Sequence, residues 1–290
     1  MPQVETIGDA VCRLGECPIW DGRHRLLWWV DVLTPSLLSY DPSTRKTRTH
    51  PIRARRLGSL ALRAAGGLLL ACDDGLHAYD PSTEEQTWLA DPEPGMEEHR
   101  KNDGRADWAG NFWIGTLREK DYAPVGALYR VTPGRDVTTI AAGLAIPNGL
   151  AFDADRKRAY YADTRAYCIW ASDYDAQLGV TGEARVFATT TPPARPDGSC
   201  IDREGFLWNA HYAGSRLARY APDGTLDCTI DLPVSHPTCC CFGGDDFDVL
   251  FVTSASEPLS PAQRADEPLA GRTLALNVGT SGRPEFLTHL

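Results

Sequence analysis

The 290-residue chain predicts an all-β fold, a six-bladed β-propeller with a metal site in its central channel, and three observations carry the prediction. First, short apolar strand-like runs recur at residues 26–30, 68–71, 112–114, 160–162, 207–210 and 250–252. With Trp28, Leu69, Trp113, Tyr161, Trp208 and Phe251 as anchors, the spacings are 41, 44, 48, 47 and 43 residues. A period in the forties without helical patterning is that of one four-stranded blade. Second, no long amphipathic stretch is present that could act as a parallel-sheet crossover helix. Third, polar residues recur at one position of the repeat, as equivalent strands around one axis require. Six repeats and a short tail account for residues 1–290 as one propeller domain.

Each element follows from local chemistry. Turn signals precede every anchor: Asp21-Gly22, Gly66-Gly67, Gly110-Asn111, residues 153–157, residues 202–205 and residues 243–246. They lie between two strand-like runs, as a hairpin requires. Tyr40-Asp41-Pro42-Ser43-Thr44 is echoed by Tyr79-Asp80-Pro81-Ser82-Thr83, and more loosely by the stretches that start at Tyr129 and Tyr220. Pro presets φ, and Asp or Ser bonds the backbone across the turn, so these read as hairpins between the third and fourth strands of a blade. Adjacent Trp28 and Trp29 point to opposite faces of their strand, and both read as packing. Residues 260–265 read as a short helical turn after Pro261.

Composition narrows the function classes. Asp plus Glu total 39 against 29 Lys plus Arg, a net charge of −10, and no dense basic cluster occurs. A nucleic-acid groove or an anionic membrane surface is therefore not an expected partner, and no obligate protein partner is evident. No apolar run is long enough to span a bilayer, and residues 1–10 lack the basic and apolar regions of a signal peptide. The nine cysteines include the consecutive Cys239, Cys240 and Cys241, which are poor disulfide partners for one another. No C-x-x-C pair points to structural zinc. Most cysteines read as small buried hydrophobes in a reducing, cytoplasmic setting. G-x-S-x-G, H-E-x-x-H, P-loop and G-x-G-x-x-G motifs are all absent. The histidines show no ligand spacing; His211, near a strand end, reads either as a pocket-edge residue or, more commonly for such a position, as a surface or hydrogen-bonded structural histidine.

Aligning the repeats brings out the chemistry. Glu16, Asn102, Asn148, Asp197 and Thr238 stand 12, 11, 13, 11 and 13 residues before their anchors, and Gly58 takes that place in the second repeat. One Asn-Gly or Asp-Gly alone reads as a turn. In a shared register on channel-lining strands, these side chains converge near one mouth. Glu, Asn, Asn and Asp oxygens form a hard-ligand set suited to Ca²⁺, Mg²⁺ or Mn²⁺, and Glu16 with Asp197 balances one divalent charge.

The stretches Leu14-Gly15-Glu16-Cys17-Pro18, Arg100-Lys101-Asn102-Asp103-Gly104, Gly115-Thr116-Leu117, Pro147-Asn148-Gly149-Leu150 and Pro196-Asp197-Gly198-Ser199 resemble those of the SMP-30/gluconolactonase/regucalcin family, in order and spacing along nearly the whole chain. The resemblance implies a six-bladed propeller that binds one divalent metal (Ca, Zn, Mn, Mg or Fe) and hydrolyses a small-molecule sugar lactone. Residue by residue, it implies Glu16, Asn148 and Asp197 as metal ligands, Arg100 and Asn102 as substrate contacts, and Asp197 as the catalytic general base. Without it, Arg100 reads as a surface ion pair. Cys17 stands where the family usually has Gly, and a non-Gly residue fits there with negative φ. A substrate-contacting Glu of some members aligns with either Glu119 or Lys120. Rival classes are another lactone or organophosphate hydrolase on the same scaffold, and a non-catalytic propeller that binds metal or a protein.

Overall fold

Every apolar run marked by the repeat is the second strand of an antiparallel sheet in the computed structural model, which describes residues 3–175, 179–180 and 182–290. Met1 and Pro2, at the head of the stretch read for a signal peptide, lie outside the described residues. The first strand, β1 (Val4–Ile7), is set apart from its chain neighbours. Blade 1 follows as β2 (Gly15–Asp21), β3 (Leu26–Asp31), β4 (Ser36–Asp41) and β5 (Lys46–His50). Blade 2 is β6 (Leu57–Leu62), β7 (Leu68–Cys72), β8 (Gly75–Asp80) and β9 (Glu85–Ala90). Blade 3 is β10 (His99–Ala106), β11 (Phe112–Arg118), β12 (Gly126–Val131) and β13 (Val137–Leu144). Blade 4 is β14 (Pro147–Asp153), β15 (Arg158–Asp163) and β16 (Cys168–Asp175), with β17 (Gly179–Val180) and β18 (Arg185–Thr189) both pairing β16. Blade 5 is β19 (Arg195–Ile201), β20 (Leu207–Tyr212), β21 (Arg216–Tyr220) and β22 (Leu226–Asp231). Blade 6 takes β23 (Pro237–Gly243), β24 (Val249–Ser254) and β25 (Thr273–Asn277), and is completed by β1, whose Val4 pairs with Leu276 and Ile7 with Thr273.

The second strands are apolar on both faces because both faces are covered. Trp28 packs with Leu57 and Leu60 of blade 2. Trp29, pointing the other way, packs with Cys241 and Phe251 of blade 6. Such strands read as continuous apolar runs rather than alternating ones. The turns behave as their residues dictate. Asp41 Oδ1 accepts from the Ser43 amide at 2.8 Å and the Ser43 hydroxyl at 2.7 Å, and Asp80 repeats this with Ser82 at the same distances. Ser260 caps the one described helix, α1 (Pro261–Asp266), in a capping box with Gln263. No helix among the described residues is long and apolar enough to cross a membrane.

All six inner strands carry an irregularity at the same height. Pairing with the second strand slips between Glu16 and Ile19, Leu57 and Ser59, Lys101 and Gly104, Asn148 and Ala151, Pro196 and Ser199, and Pro237 and Cys240. Each slip is one extra residue on the inner strand. A bulge of this kind frees side chains from the pleat and re-aims them, which is why bulges cluster at functional rims. Blade 2 has glycine at its bulge for a steric reason. A Cβ on Gly58 would lie 2.4 Å from the Lys101 carbonyl oxygen, so blades 2 and 3 approach too closely there for any side chain.

At the opposite end of the blades, residues 278–290 cross the hairpins that join first and second strands. The Thr288 amide donates to the Leu62 carbonyl at 2.9 Å, and the His289 amide to the Gly110 carbonyl at 2.8 Å. The Arg63 Nε donates to the Leu290 carbonyl at 2.7 Å. Glu285 of this tail reaches Arg105 at 3.7 Å, and both are largely buried.

Candidate active site

The bulged ends of the inner strands surround a cavity of about 160 Å³. Glu16, Asn102, Asn148 and Asp197 all line it, together with Arg100. The structure thus brings together the five residues named as metal-ligand, substrate-contact or general-base candidates. Thr238 and Gly58, at the same register, do not line it. The Thr238 hydroxyl instead donates to the Gly15 carbonyl at 2.5 Å, stitching blade 6 to blade 1.

A hydrogen-bonded chain fixes the lining. Glu119 Oε1 accepts from Arg100 Nε at 3.1 Å and from Arg56 Nε at 3.2 Å. Arg100 in turn donates to Asn102 Oδ1 at 2.6 Å. Asn102 Nδ2 donates to Asn148 Oδ1 at 2.8 Å, and Asn148 Nδ2 donates to the Thr164 hydroxyl at 2.8 Å. Thr164 donates to the Pro196 carbonyl at 2.9 Å. The amide of Asn102 is therefore engaged in orienting Asn148. Of the two aligned positions, Glu119 sits against Arg100, while Lys120 is exposed.

The carboxyl groups lie close enough to raise one another's pKa values. Burial, then the charge of Asp103, pushes the Glu16 carboxyl up to about 8, against the pull of the Cys17 amide and of Arg100. Burial, then Glu16 and Asp103, holds Asp197 well above the usual carboxylate range. Burial raises Asp103 as well, against the pull of Arg105 and of the Leu150 amide, which donates to it at 2.8 Å. Asp197 Oδ1 is buried without a hydrogen-bond partner. An unpartnered buried oxygen beside like-charged carboxyls carries a large desolvation cost that a cation removes. The donors are all hard oxygens, so the residues fit a divalent metal.

Cys17 departs from expectation. Its φ is +48°, in the left-handed region, where a negative φ was expected for a non-Gly residue. The bulge between Glu16 and Ile19 imposes the conformation. The buried thiol offsets it by lying 3.4 Å from both the amide and the carbonyl oxygen of Leu60. The turned backbone directs the Cys17 amide to Glu16 Oε2 at 3.2 Å. His211 does not line the cavity either. Its ring bonds Tyr220 and Arg216 at 3.1 and 3.2 Å, and burial lowers its pKa to about 4.

Several lining residues escape a reading based on one register. Leu14, Ile146 and Arg195 stand two positions before Glu16, Asn148 and Asp197, as Arg100 does before Asn102. Side chains two apart on a strand share a face, so stepping back by two would have found them. Tyr122, Thr164, Arg165 and Tyr212 also line the cavity and have no such signal. A second group of potential ligands, Cys72, Asp74 and His77, has its donor atoms within 4.8 Å of one another on blade 2. Asp74 and His77 already bond each other at 2.8 Å, and burial drives the Cys72 thiol pKa upward, so this group is self-satisfied. A larger groove of about 610 Å³ between blades 1 and 2 holds none of the ring residues.

Known proteins resemble this chain in sequence and fold. The family model for the SMP-30/gluconolactonase/LRE-like region matches residues 14–256. A 6-deoxy-6-sulfogluconolactonase from Pseudomonas putida is 37% identical over 276 residues, covering 94% of each chain. A pentonolactonase from Haloferax volcanii is 34% identical over 98% of this chain and 97% of its own. The crystal structure of a calcium-binding protein, regucalcin, from Agrobacterium tumefaciens superimposes with a TM-score of 0.95 at 32% identity, over 100% of this chain and 98% of that one. By the extent of these matches, the chain belongs to the SMP-30/gluconolactonase/LRE-like family.

Proposed function

We propose that this protein hydrolyses a sugar lactone to the open-chain acid, with one divalent metal ion held by Glu16, Asn148 and Asp197. The observation that carries the reading is the convergence of two carboxylates with raised pKa values, an amide oxygen and a braced arginine in one cavity. The lactonase names of the Pseudomonas putida and Haloferax volcanii relatives support the same chemistry. The calcium-binding description of the Agrobacterium protein supports a divalent ion. The ring closed by β1 supports reading residues 1–290 as one domain. All nine cysteines are free, and eight are buried, which supports a cytoplasmic setting.

When bound, the metal supplies Lewis acidity to an ester carbonyl and its oxyanion, and lowers the pKa of a water. The protein's residues do the rest. Asp197, once ionised, takes a proton from the attacking water as its oxygen bonds to the lactone carbonyl carbon. The ring C–O bond then breaks, and the proton held on Asp197 passes to the departing alkoxide. Arg100 offers its remaining donors to the lactone hydroxyls while Glu119 and Asn102 hold the guanidinium in place. Asn102 fixes the direction of the Asn148 amide.

The test is a panel of γ- and δ-lactones assayed with and without chelator. Chelator-sensitive hydrolysis of a sugar lactone is expected, and failure on every lactone with metal restored sinks the reading. Arg100→Ala is expected to raise KM roughly 10-fold or more, the value of a charge-assisted hydrogen bond, with metal affinity reduced far less. Equal losses in the two measurements would make Arg100 a purely structural residue.

A further inference from the structure

The mouth of the cavity holds two cations that the hydrolytic chemistry does not use. Arg165 lies in the hairpin between β15 and β16, and Arg195 begins β19; both line the cavity. Arg165 is exposed and Arg195 half-buried, whereas Asn148 and Asp197 are buried, so the arginines stand nearer solvent than these two candidate ligands. Among the described residues, neither guanidinium has a carboxylate partner. The Arg165 guanidinium lies 5.3 Å from the centre of the Tyr122 ring. The Arg195 guanidinium lies 5.7 Å from the Tyr167 ring and donates from Nε to the Tyr167 hydroxyl at 3.2 Å. Arg100, by contrast, is paired with Glu119.

The same hairpin sets both arginines. Asp163 Oδ1 accepts the Arg165 amide at 2.9 Å and fixes the turn, and Tyr167 within that turn supports Arg195. Stacking on tyrosines holds a guanidinium in place while leaving its donors open, which is how a planar cation is readied for an oxyanion. In a chain with 39 acidic and 29 basic residues, two cations without carboxylate partners at one mouth are a local reversal of charge.

We propose that Arg165 and Arg195 form an anion subsite that recognises an acidic group on the lactone substituent farthest from the ester carbonyl. This rests on the lactonase reading above. The shared chemistry is a cluster of anionic oxygens, whether carboxylate, sulfonate or phosphate. A substrate with its carbonyl among Glu16, Asn148 and Asp197 directs its far end toward the mouth, where the arginines stand.

The experiment compares glucono-δ-lactone with its 6-carboxylate, 6-sulfonate and 6-phosphate counterparts, using the metal-loaded wild type, Arg165→Gln, Arg195→Gln and the double variant. The wild type is expected to favour one anionic lactone at least 10-fold in kcat/KM, and the preferred arm names the acidic group. In the double variant, KM for that lactone is expected to rise roughly 10- to 100-fold more than KM for the neutral one, as loss of charge-assisted hydrogen bonds predicts. Arg165→Lys with Arg195→Lys is expected to recover part of the preference, which separates charge recognition from loss of fold. Equal turnover of neutral and anionic lactones by the wild type overturns the subsite and leaves the lactonase reading standing. A double variant that loses both substrates in equal proportion does the same. Hydrolysis of none of the four overturns the subsite, and the lactonase reading falls with it only when the wider γ- and δ-lactone panel fails as well.

Discussion

Asp197→Asn is expected to lower kcat/KM for the lactone by roughly three orders of magnitude, the scale of a lost general base, and to weaken metal binding as well. The substitution keeps the size of the side chain and removes its charge. In the metal-free protein that charge is unwelcome: burial and the neighbouring Glu16 and Asp103 favour the neutral acid. An amide at this position mimics the protonated carboxyl, so the metal-free variant is expected to melt at or above the wild-type temperature at pH 8. Loss of activity and gain of apo stability in one variant is the signature of a residue placed for chemistry at a cost to the fold. Circular dichroism melts and steady-state assays on the same preparations read both quantities. Activity within 10-fold of wild type would move the base elsewhere.

The second expected result concerns pH. Glu16 keeps its proton in the folded metal-free protein up to about 8, whereas in the unfolded chain it loses it near the ordinary glutamate value of 4.5. Between those values the folded state binds more protons than the unfolded one, so stability falls as pH rises. The contribution is fully present below the unfolded value and is lost as pH climbs through about 8. Asp197, also raised, acts with the same sign. Chelated protein is therefore expected to lose on the order of 5 °C in melting temperature from pH 5 to pH 8.5. A saturating divalent metal, which favours the ionised carboxyls, is expected to reverse the trend. Glu16→Gln should flatten the chelated profile. A chelated wild type whose melting temperature rises with pH across this window would contradict the assigned cause.

The blades were legible because their hairpins are built from local chemistry. Tyr40 to Thr44 and its echo at Tyr79 contain the turn within five residues, and the anchors recur because each second strand is covered on both faces. The register of Glu16, Asn102, Asn148 and Asp197 was legible for the same reason. What the repeat could not show depends on packing between blades. Cys17 adopts positive φ because a bulge and the Leu60 backbone hold it there, and no property of the dipeptide signals this. Arg165 and Tyr122 reach the cavity from connections whose length differs from blade to blade. The path of residues 278–290 under the blades follows from contacts with Leu62 and Gly110, far away in sequence.

The pairing of Val4 with Leu276 also sets a timetable. A ribosome delivers β1 first and its neighbour β25 almost last, so the earliest strand waits unpaired while five blades emerge. Until β25 arrives, the side of blade 1 that carries Trp20 and Trp29 lacks its full cover from blade 6. Blades 2 to 5 are each sequence-local and can form as they appear, but the seam closes only after synthesis of the last strand. A nascent chain is thus an open arc with an apolar flank and an unpaired strand, the kind of species that chaperones hold and that aggregates when they do not.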